Sequence, residues 1–275
     1  MNISDYTFGL RGHDIGDDFP SMCTNGVENH ITSLQFAMAK TVKTIDFDAV
    51  GFDRAVADDI HRKLRECGFS VPVLGCYINP IDADEERLEC SLRRFEAFIR
   101  YAQVFDAGVV GTETGVTAGP DAPVFWEDYR MFIRNLARLV ETAESCGVDI
   151  GIEPVYGGTV CSPQIMRRVI DDIRSENLKV ILDLSNLLKA DMIPSQRKIL
   201  DDSFELLGDR IRVIHLKDFA VADGKKRFAP PTKGLMDIPY LFEQMSFLKQ
   251  KPDIILDNLP LGLYAEAIKD LSALL

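Results

Sequence analysis

The sequence predicts a single (β/α)8 TIM barrel, in which eight parallel strands alternate with eight helices. Short apolar runs alternate with amphipathic helical patterns along all 275 residues, and no linker or change of composition interrupts them. Each strand–helix unit takes about 34 residues, which fits a closed barrel better than two small domains. We therefore treat residues 1–275 as one domain. An open doubly wound sheet is the competing fold, but no glycine-rich phosphate loop follows the first strand.

Four strand–helix units are predicted in the first half of the chain. The helix predicted for residues 53–67 keeps its apolar side chains on one face and stops at Gly68. The helix predicted for residues 84–105 has three acids in its first turn, where the helix dipole favours negative charge. The predicted strands are 6–10, 33–39, 71–77 and one opening at 109–110, and the predicted helices are 24–30, 53–67, 84–105 and 125–146.

Four further units follow in the second half. Ser162 and Pro163 supply an N-cap and a first-turn proline for a helix that continues to about residue 174. A polar segment rich in Lys and Pro, residues 223–234, is predicted to be a loop. The predicted strands are 148–153, 179–183, 211–216 and 253–257, and the predicted helices are 163–174, 195–207, 238–249 and 263–275.

The last four predicted strands leave the core at ionisable residues. A strand buried on both faces reads as a continuous apolar run and becomes polar only where it ends. Glu153, Asp183, His215 and Asp257 lie at these ends, separated by 30, 32 and 42 residues. Because the carboxyl ends of barrel strands meet at one face, these side chains are expected to surround one point. Other polar candidates at strand exits are His13, Asn79, Glu113 and Lys217.

Three carboxylates and one imidazole form an oxygen-rich ligand set. Such a set suits Mn²⁺, Mg²⁺ or Co²⁺ better than a structural zinc, which favours thiolates and closed coordination. Any single acid at a strand end could instead cap a helix or pair with an arginine, and His215 could be an ordinary core histidine. Four together favour a cation, because burying several unpaired carboxylates near one another is costly.

Composition limits the classes of partner. The formal net charge of −12 disfavours a nucleic-acid groove, which needs clustered Lys and Arg. No apolar run approaches the roughly 20 residues that span a bilayer, and the N-terminus is neither basic nor apolar. We expect a cytoplasmic protein that binds neither nucleic acid nor membrane, and the sequence leaves a homo-oligomer open.

Several motifs in this chain resemble those of the xylose-isomerase-like TIM barrels, the sugar phosphate isomerase/epimerase superfamily. The resemblance extends along the whole chain in order. The motifs that carry it are Gly151-Ile152-Glu153-Pro154, Leu182-Asp183-Leu184-Ser185-Asn186-Leu187, His215-Leu216-Lys217-Asp218, Lys233-Gly234-Leu235-Met236-Asp237 and Leu74-Gly75-Cys76-Tyr77-Ile78-Asn79-Pro80.

The resemblance implies a metal-dependent enzyme. Glu153, Asp183, His215 and Asp257 would bind one divalent ion, with Mn²⁺ preferred and Mg²⁺, Co²⁺ or Zn²⁺ as alternatives. Glu153 and Asp257 would also be the catalytic base and acid. The residues that would contact substrate are His13, Asn79, Glu113, Asn186 and Lys217.

Two positions depart from the family pattern. The family usually has Glu on strand eight, whereas this chain has Asp257, whose side chain is one methylene shorter. Its reach is therefore shorter by about 1.5 Å, which matters where geometry must be tight. Many members have His three residues after the strand-six Asp, where this chain has Asn186. Substrate contacts of the family's epimerases therefore do not transfer directly.

The implied activity is a sugar or sugar phosphate isomerase or epimerase of carbohydrate metabolism. A proton next to a carbonyl would leave to give an enediolate. The same scaffold could support an inosose-dehydratase-like lyase, which begins with the same proton abstraction. A non-catalytic carbohydrate-binding barrel with a drifted site is the alternative from another class. The AP-endonuclease branch is disfavoured, because its multi-metal site needs more histidines than the four present here.

Overall fold

The strands close into a barrel in the computed structural model, which describes residues 3–45, 47, 53–116 and 125–274. Eight parallel strands pair in the order β1-β2-β3-β4-β5-β6-β7-β10 and then back to β1. The barrel strands are β1 Phe8–Arg11, β2 Ser33–Phe36, β3 Ser70–Gly75, β4 Val109–Thr112, β5 Ile150–Ile152, β6 Leu178–Leu182, β7 Ile211–Leu216 and β10 Asp253–Leu256. The predicted single (β/α)8 TIM barrel is confirmed.

Helices connect successive strands around the barrel. The α-helices are α1 Gly12–Ile15, α2 Phe19–Glu28, α3 Met38–Thr41, α4 Arg54–Glu66, α5 Glu85–Ala102, α6 Phe125–Cys146, α7 Pro163–Ile173, α8 Leu184–Leu187, α9 Gln196–Leu207, α10 Ile238–Ser246 and α11 Tyr264–Leu274. Short 3-10 helices occur at Ile3–Asp5, Gln103–Phe105, Ala190–Ser195 and Leu261–Leu263. No helix in the described ranges is both long and apolar enough to cross a membrane.

The largest boundary error concerns the helix between the first two strands. The sequence predicts a helix over residues 24–30, but the helix begins at Phe19, because Asp18 and Ser21 form a reciprocal cap at its start and Pro20 occupies its first turn. The second strand is shorter than the predicted 33–39, since the chain turns into α3 at Met38. Within the described residues, the remaining strand and helix limits differ from the predicted ones by at most three residues.

The prediction of a loop at residues 223–234 is wrong for part of that segment. Asp218–Ala222 (β8) and Lys225–Ala229 (β9) pair as an antiparallel hairpin beyond the end of β7. Asp223 and Gly224 form its two-residue turn with φ of 52° and 69°, the combination that a tight hairpin requires. Asp-Gly is the local signal for such a turn, and the charged residues of Lys225-Lys226-Arg227 obscure it.

The barrel interior is packed around Ile181. Val73, Val109, Val213 and Ile255 form one buried cluster with it. A Cβ on Gly111 would lie 2.8 Å from Ile181 Cδ1, so the absence of a side chain there makes room for the isoleucine. This layer closes the barrel beneath the strand ends and fixes the plane from which polar side chains project.

Ile181→Ala should lower the free energy of unfolding by about 2–5 kcal/mol, because it removes buried methyl groups and leaves a cavity in a layer that cannot collapse. Urea unfolding followed by circular dichroism would measure the change. Phe247→Ala is the control: its side chain is 75% exposed, and its loss should change stability by less than about 0.5 kcal/mol. Equal effects would contradict the packed interior.

Candidate active site

Polar side chains lie near the carboxyl end of each of the eight barrel strands, at one face of the barrel. Arg11 is the last residue of β1, and Gln35 lies near the end of β2. The other six strands contribute polar side chains at or just after their carboxyl ends. These are Tyr77, Glu113, Glu153, Asp183, His215, Lys217 and Asp257. Because all strands are parallel, the closed barrel brings these residues together although they are spread over most of the chain.

Glu153, Asp183 and His215 form the centre of this group. They are 2%, 0% and 2% exposed, and one potential ligand atom from each lies within 4.8 Å of the others. His215 Nδ1 is 3.1 Å from Glu153 Oε2. His215 Nε2 is buried and has no hydrogen-bond partner within the described chain. The structure thus brings together three of the four predicted ligands.

The two carboxylate oxygens of Asp183 make different contacts. Its Oδ1 accepts a hydrogen bond from the Asn186 amide at 3.1 Å and caps the one-turn helix α8. Its Oδ2 lies 3.0 Å from Lys217 Nζ. Capping and site formation are therefore compatible, because the cap fixes the carboxylate orientation while the other oxygen faces the site.

Strand register places Asp257 beside Lys217. Leu256 of β10 is the partner of Leu216 in β7, and the Asp257 amide donates to the Leu216 carbonyl at 3.2 Å. Asp257 Oδ2 is consequently 2.5 Å from Lys217 Nζ. Its other oxygen, Oδ1, is 2.8 Å from Arg11 Nη1. Both oxygens of Asp257 thus contact cations, and Oδ2 lies 3.9 Å from His215 Nδ1.

These contacts move the pKa values of the buried groups in different directions. Burial raises the pKa of Asp183 to about 6, although Lys217 opposes the rise. Burial also favours the neutral form of Asp257, but His215, Lys217 and Arg11 outweigh it and lower its pKa. Burial alone would lower the pKa of His215, whereas Glu153, Asp257 and Asp183 raise it overall. The pKa values of these carboxylates therefore differ according to the cations that face them.

The donor set fits a divalent cation. Two buried carboxylates and an imidazole are ordinary ligands of Mn²⁺, Mg²⁺ or Zn²⁺. His215 Nε2 is buried without a hydrogen-bond partner within the described chain, and burial raises the pKa of Asp183. Protein contacts alone therefore do not fully offset the free-energy cost of burying these two groups. A buried Glu153/Asp183/His215 trio could therefore bind a metal ion, and Asp257 as a fourth ligand remains a proposal.

Two of the predicted substrate-contact residues connect directly to this trio. Asn186 Nδ2 donates to Glu153 Oε1 at 2.6 Å, and Lys217 Nζ donates to Asn186 Oδ1 at 3.4 Å. Burial among protein atoms, then the charge of Glu153, raises the pKa of Glu113, although its side chain remains exposed at the mouth. All three residues therefore lie in or beside the electrostatic network of the trio.

His13 and Asn79 lie further toward the periphery of the site. Burial, followed by Lys40 and Arg11, lowers the pKa of His13 to about 4, so its imidazole is neutral at pH 7. Its Nε2 is 3.5 Å from Lys40 Nζ. Asn79 is exposed, and its Oδ1 accepts a hydrogen bond from the Ile81 amide, which shapes the loop after β3. Substrate contact by either residue stays a prediction.

Sequence reasoning missed Arg11, Gln35 and Tyr77 as site residues. Gln35 Nε2 donates to the Tyr77 hydroxyl. Burial, then Glu153 and Asp257, raises the pKa of Tyr77 well above its ordinary value. Arg11 also forms a two-bond ion pair with Asp14, at 2.7 and 2.8 Å. Their positions near strand ends were visible in the sequence. The sequence does not show, however, which side chains of other strands such a residue contacts.

The xylose isomerase-like TIM barrel family profile matches residues 32–270. The chain belongs to this family. The resemblance inferred from the strand-exit motifs is thereby confirmed. No protein of curated function matches the sequence at a significant level.

Three solved structures illustrate the likeness in fold. A D-tagatose 3-epimerase-like protein aligns with a TM-score of 0.76 at 16% identity and covers 97% of each chain. A xylose isomerase-like TIM barrel protein from Mycobacterium smegmatis in complex with magnesium has a TM-score of 0.76 at 13% identity, covering 100% of this chain and 98% of that one. The apo form of 3-keto-D-glucoside 4-epimerase, YcjR, from E. coli has a TM-score of 0.72 at 16% identity, with coverages of 98% and 99%. At these identities the likeness establishes the fold.

Asp183→Asn should abolish tight Mn²⁺ binding and leave the barrel folded, because the amide keeps the shape of the side chain and removes its charge. Equilibrium dialysis after treatment with a chelator would count the ions bound, and circular dichroism would report folding. Asp149→Asn is the matched control, since Asp149 lies before β5 at the opposite end of the barrel, beside Asn177 and Lys179. Full Mn²⁺ binding by Asp183→Asn would overturn the assignment of this residue.

Mn²⁺ binding should weaken as the pH falls below about 6. The pKa of Asp183 is raised to about 6 in the metal-free protein, so below that pH a metal ion must displace a proton. The affinity should fall by up to about tenfold per pH unit for this proton, and more where His215 also binds one. The rise in melting temperature caused by Mn²⁺, measured from about pH 5 to 7.5, should grow with pH. A rise in melting temperature that is the same at every pH would contradict the assignment of Asp183 as a metal ligand.

Proposed function

We propose that this chain is a divalent-metal-dependent sugar or sugar phosphate isomerase or epimerase that acts through an enediolate. The observation that carries the proposal is the buried Glu153/Asp183/His215 trio at the barrel mouth, with the Asp257 carboxylate beside it. Membership of the xylose isomerase-like family supports an enzyme on this scaffold. The epimerases among the structurally similar proteins supply the reaction class that we propose.

Glu153, Asp183 and His215 would hold the ion, and Asp257 is the proposed fourth ligand. The bound ion would act as a Lewis acid that polarises the substrate carbonyl and stabilises negative charge on the neighbouring oxygens. Lys217 lies between Asp183 and Asp257. Its ammonium group would keep both carboxylates charged and correctly placed for substrate.

Glu153 and Asp257 would carry the proton. An ionised carboxylate on one face of the substrate takes the carbon-bound proton, and a protonated carboxyl on the other face returns one. Cations lower the pKa of Asp257, so its carboxylate is ionised near neutral pH in the free protein and can take up a proton. Asn186 holds Glu153 Oε1 by a hydrogen bond of 2.6 Å, which fixes the direction in which its other oxygen points.

Tyr77 would supply a neutral hydrogen-bond donor at the same site. Its raised pKa keeps the phenol protonated at physiological pH, and Gln35 donates to its hydroxyl oxygen, which leaves the hydroxyl proton free to point at a ligand. A neutral donor held in this way favours a substrate oxygen on which negative charge develops. Arg11 would assist indirectly, by positioning Asp257.

A carbohydrate-binding protein without catalysis is the second candidate. It is favoured by the two cation contacts of Asp257, which occupy the carboxylate that the reaction needs. A dehydratase would share the first proton abstraction with the isomerase. Release of the substrate proton to solvent therefore separates an enzyme of either kind from a binding protein, and analysis of the product separates the two enzymes.

The Mn²⁺-loaded protein should exchange the proton next to the carbonyl of a ketose substrate with D₂O, as followed by NMR across a panel of ketoses and ketose phosphates. Glu153→Gln and Asp257→Asn should each slow exchange by at least about 100-fold, the usual contribution of a general acid or base. Asp149→Asn should retain the wild-type rate. Binding without exchange would favour the non-catalytic protein, and loss of water from the product would indicate a dehydratase.

A further inference from the structure

A basic cleft lies next to the Glu153/Asp183/His215 trio. It has a volume of about 670 Å³ and is bounded by the loop after β5, the segment after α8 and the tip of the β8–β9 hairpin. Its lining includes three lysines and one acid: Lys189, Lys225, Lys226 and Asp191. This excess of positive charge is local, because the chain as a whole carries a net charge of −12.

The three ammonium groups have no carboxylate partner within the described ranges of the chain. Lys189 Nζ lies 4.4 Å above the ring of Tyr156, and Lys226 Nζ lies 4.9 Å from the centre of the Phe219 ring. Other lysines outside the cleft do pair with acids, as Lys63 does with Asp59 at 2.7 Å. The cleft therefore holds three ammonium groups, faced by the single acid Asp191, that form no close ion pair within the described part of the chain.

Lys226 is the most constrained of the three. Its side chain is half-buried, and its ammonium group donates to the Ser185 carbonyl immediately before Asn186. Burial lowers the pKa of the Lys226 ammonium group. The negative charge of Asp183 opposes this lowering, and the positive charge of Lys217 adds to it. Its hydrogen bond goes to a neutral carbonyl and not to a carboxylate, so an anion in the cleft could form a charge-assisted hydrogen bond with the same ammonium group.

Asn186 joins the cleft to the trio. It lines the cleft, and its Nδ2 also donates to Glu153 Oε1 at 2.6 Å. Its backbone carbonyl accepts from the Tyr156 amide at 2.8 Å, which ties the two walls of the cleft together. A single ligand can therefore contact the trio at one end and the lysines at the other.

We propose that the cleft binds the phosphate group of a phosphorylated sugar whose carbonyl end lies at the Glu153/Asp183/His215 trio. The inference rests on the proposed function and narrows it from sugars in general to sugar phosphates. Ammonium groups from separate segments suit a phosphate, which presents several oxygens and up to two negative charges to cations on different sides. A carboxylate has fewer oxygens and a single charge.

The test measures binding of inorganic phosphate to the Mn²⁺-loaded full chain by calorimetry at constant ionic strength. The double substitution Lys189→Gln/Lys225→Gln should weaken phosphate binding by about tenfold or more, since it removes two charge-assisted interactions. Lys249→Gln/Lys269→Gln is the matched control: both lysines are exposed elsewhere, and the change in net charge is the same. The control should bind phosphate within about twofold of wild type.

Phosphate binding that is equal in the two double variants would overturn the proposal, as would gluconate binding as tightly as phosphate. Mn²⁺ counts and proton exchange, measured in the same variants, separate this inference from the proposed function. Normal Mn²⁺ binding and exchange of unphosphorylated ketoses, with no lysine-dependent phosphate binding, would remove only the sugar phosphate assignment. Lysine-dependent phosphate binding in a chain that binds no Mn²⁺ would support the anion site and remove the proposed isomerase.

Discussion

Neutralisation of three neighbouring buried carboxylates is the constraint on which the site depends. Glu153, Asp183 and Asp257 are each less than 5% exposed, and none could remain charged there without cations close by. Lys217 touches both aspartates and Arg11 touches one. The same cations that make the cluster tolerable also set which carboxylate stays ionised and which tends to hold a proton. A divalent ion would complete this compensation at Glu153, Asp183 and His215.

The barrel provides that compensation through strand register and local capping. Asp257 meets Lys217 because β10 and β7 are paired in register up to Leu256 and Leu216. Asp183 keeps its orientation because one oxygen caps α8. Asp218, the neighbour of Lys217 in the chain, accepts hydrogen bonds from the backbone amides of Phe219, Gly234 and Met236 and so anchors the hairpin base. Of these two adjacent charged residues, Lys217 therefore contacts the carboxylates of the site, whereas Asp218 stabilises the backbone around it.

The mouth of the barrel has two regions of opposite charge. One contains the carboxylates around His215, and the other contains the lysines of the cleft that we propose to bind phosphate. Asn186 lies at the boundary and contacts Glu153. It occupies the position where many family members have histidine, so this departure from the family pattern coincides with the boundary between the two regions. The hairpin that carries Lys225 and Lys226 extends the mouth on this side.

The sequence alone determined the barrel, because short apolar runs alternate with amphipathic helical patterns along the chain, and the last four strands end at a polar residue, as at Leu182 and Asp183. It also indicated Glu153, Asp183 and His215, since parallel strands must bring their carboxyl ends to one face. Tertiary structure decided what the sequence leaves open. Arg11 and Asp257 are 246 positions apart in the chain, and only closure of the barrel between β1 and β10 makes them an ion pair. Likewise, Lys225 and Lys226 line the same cleft as Asn186 only because the hairpin folds back toward α8, where Lys226 donates to the Ser185 carbonyl, and no local pattern encodes such long-range contacts.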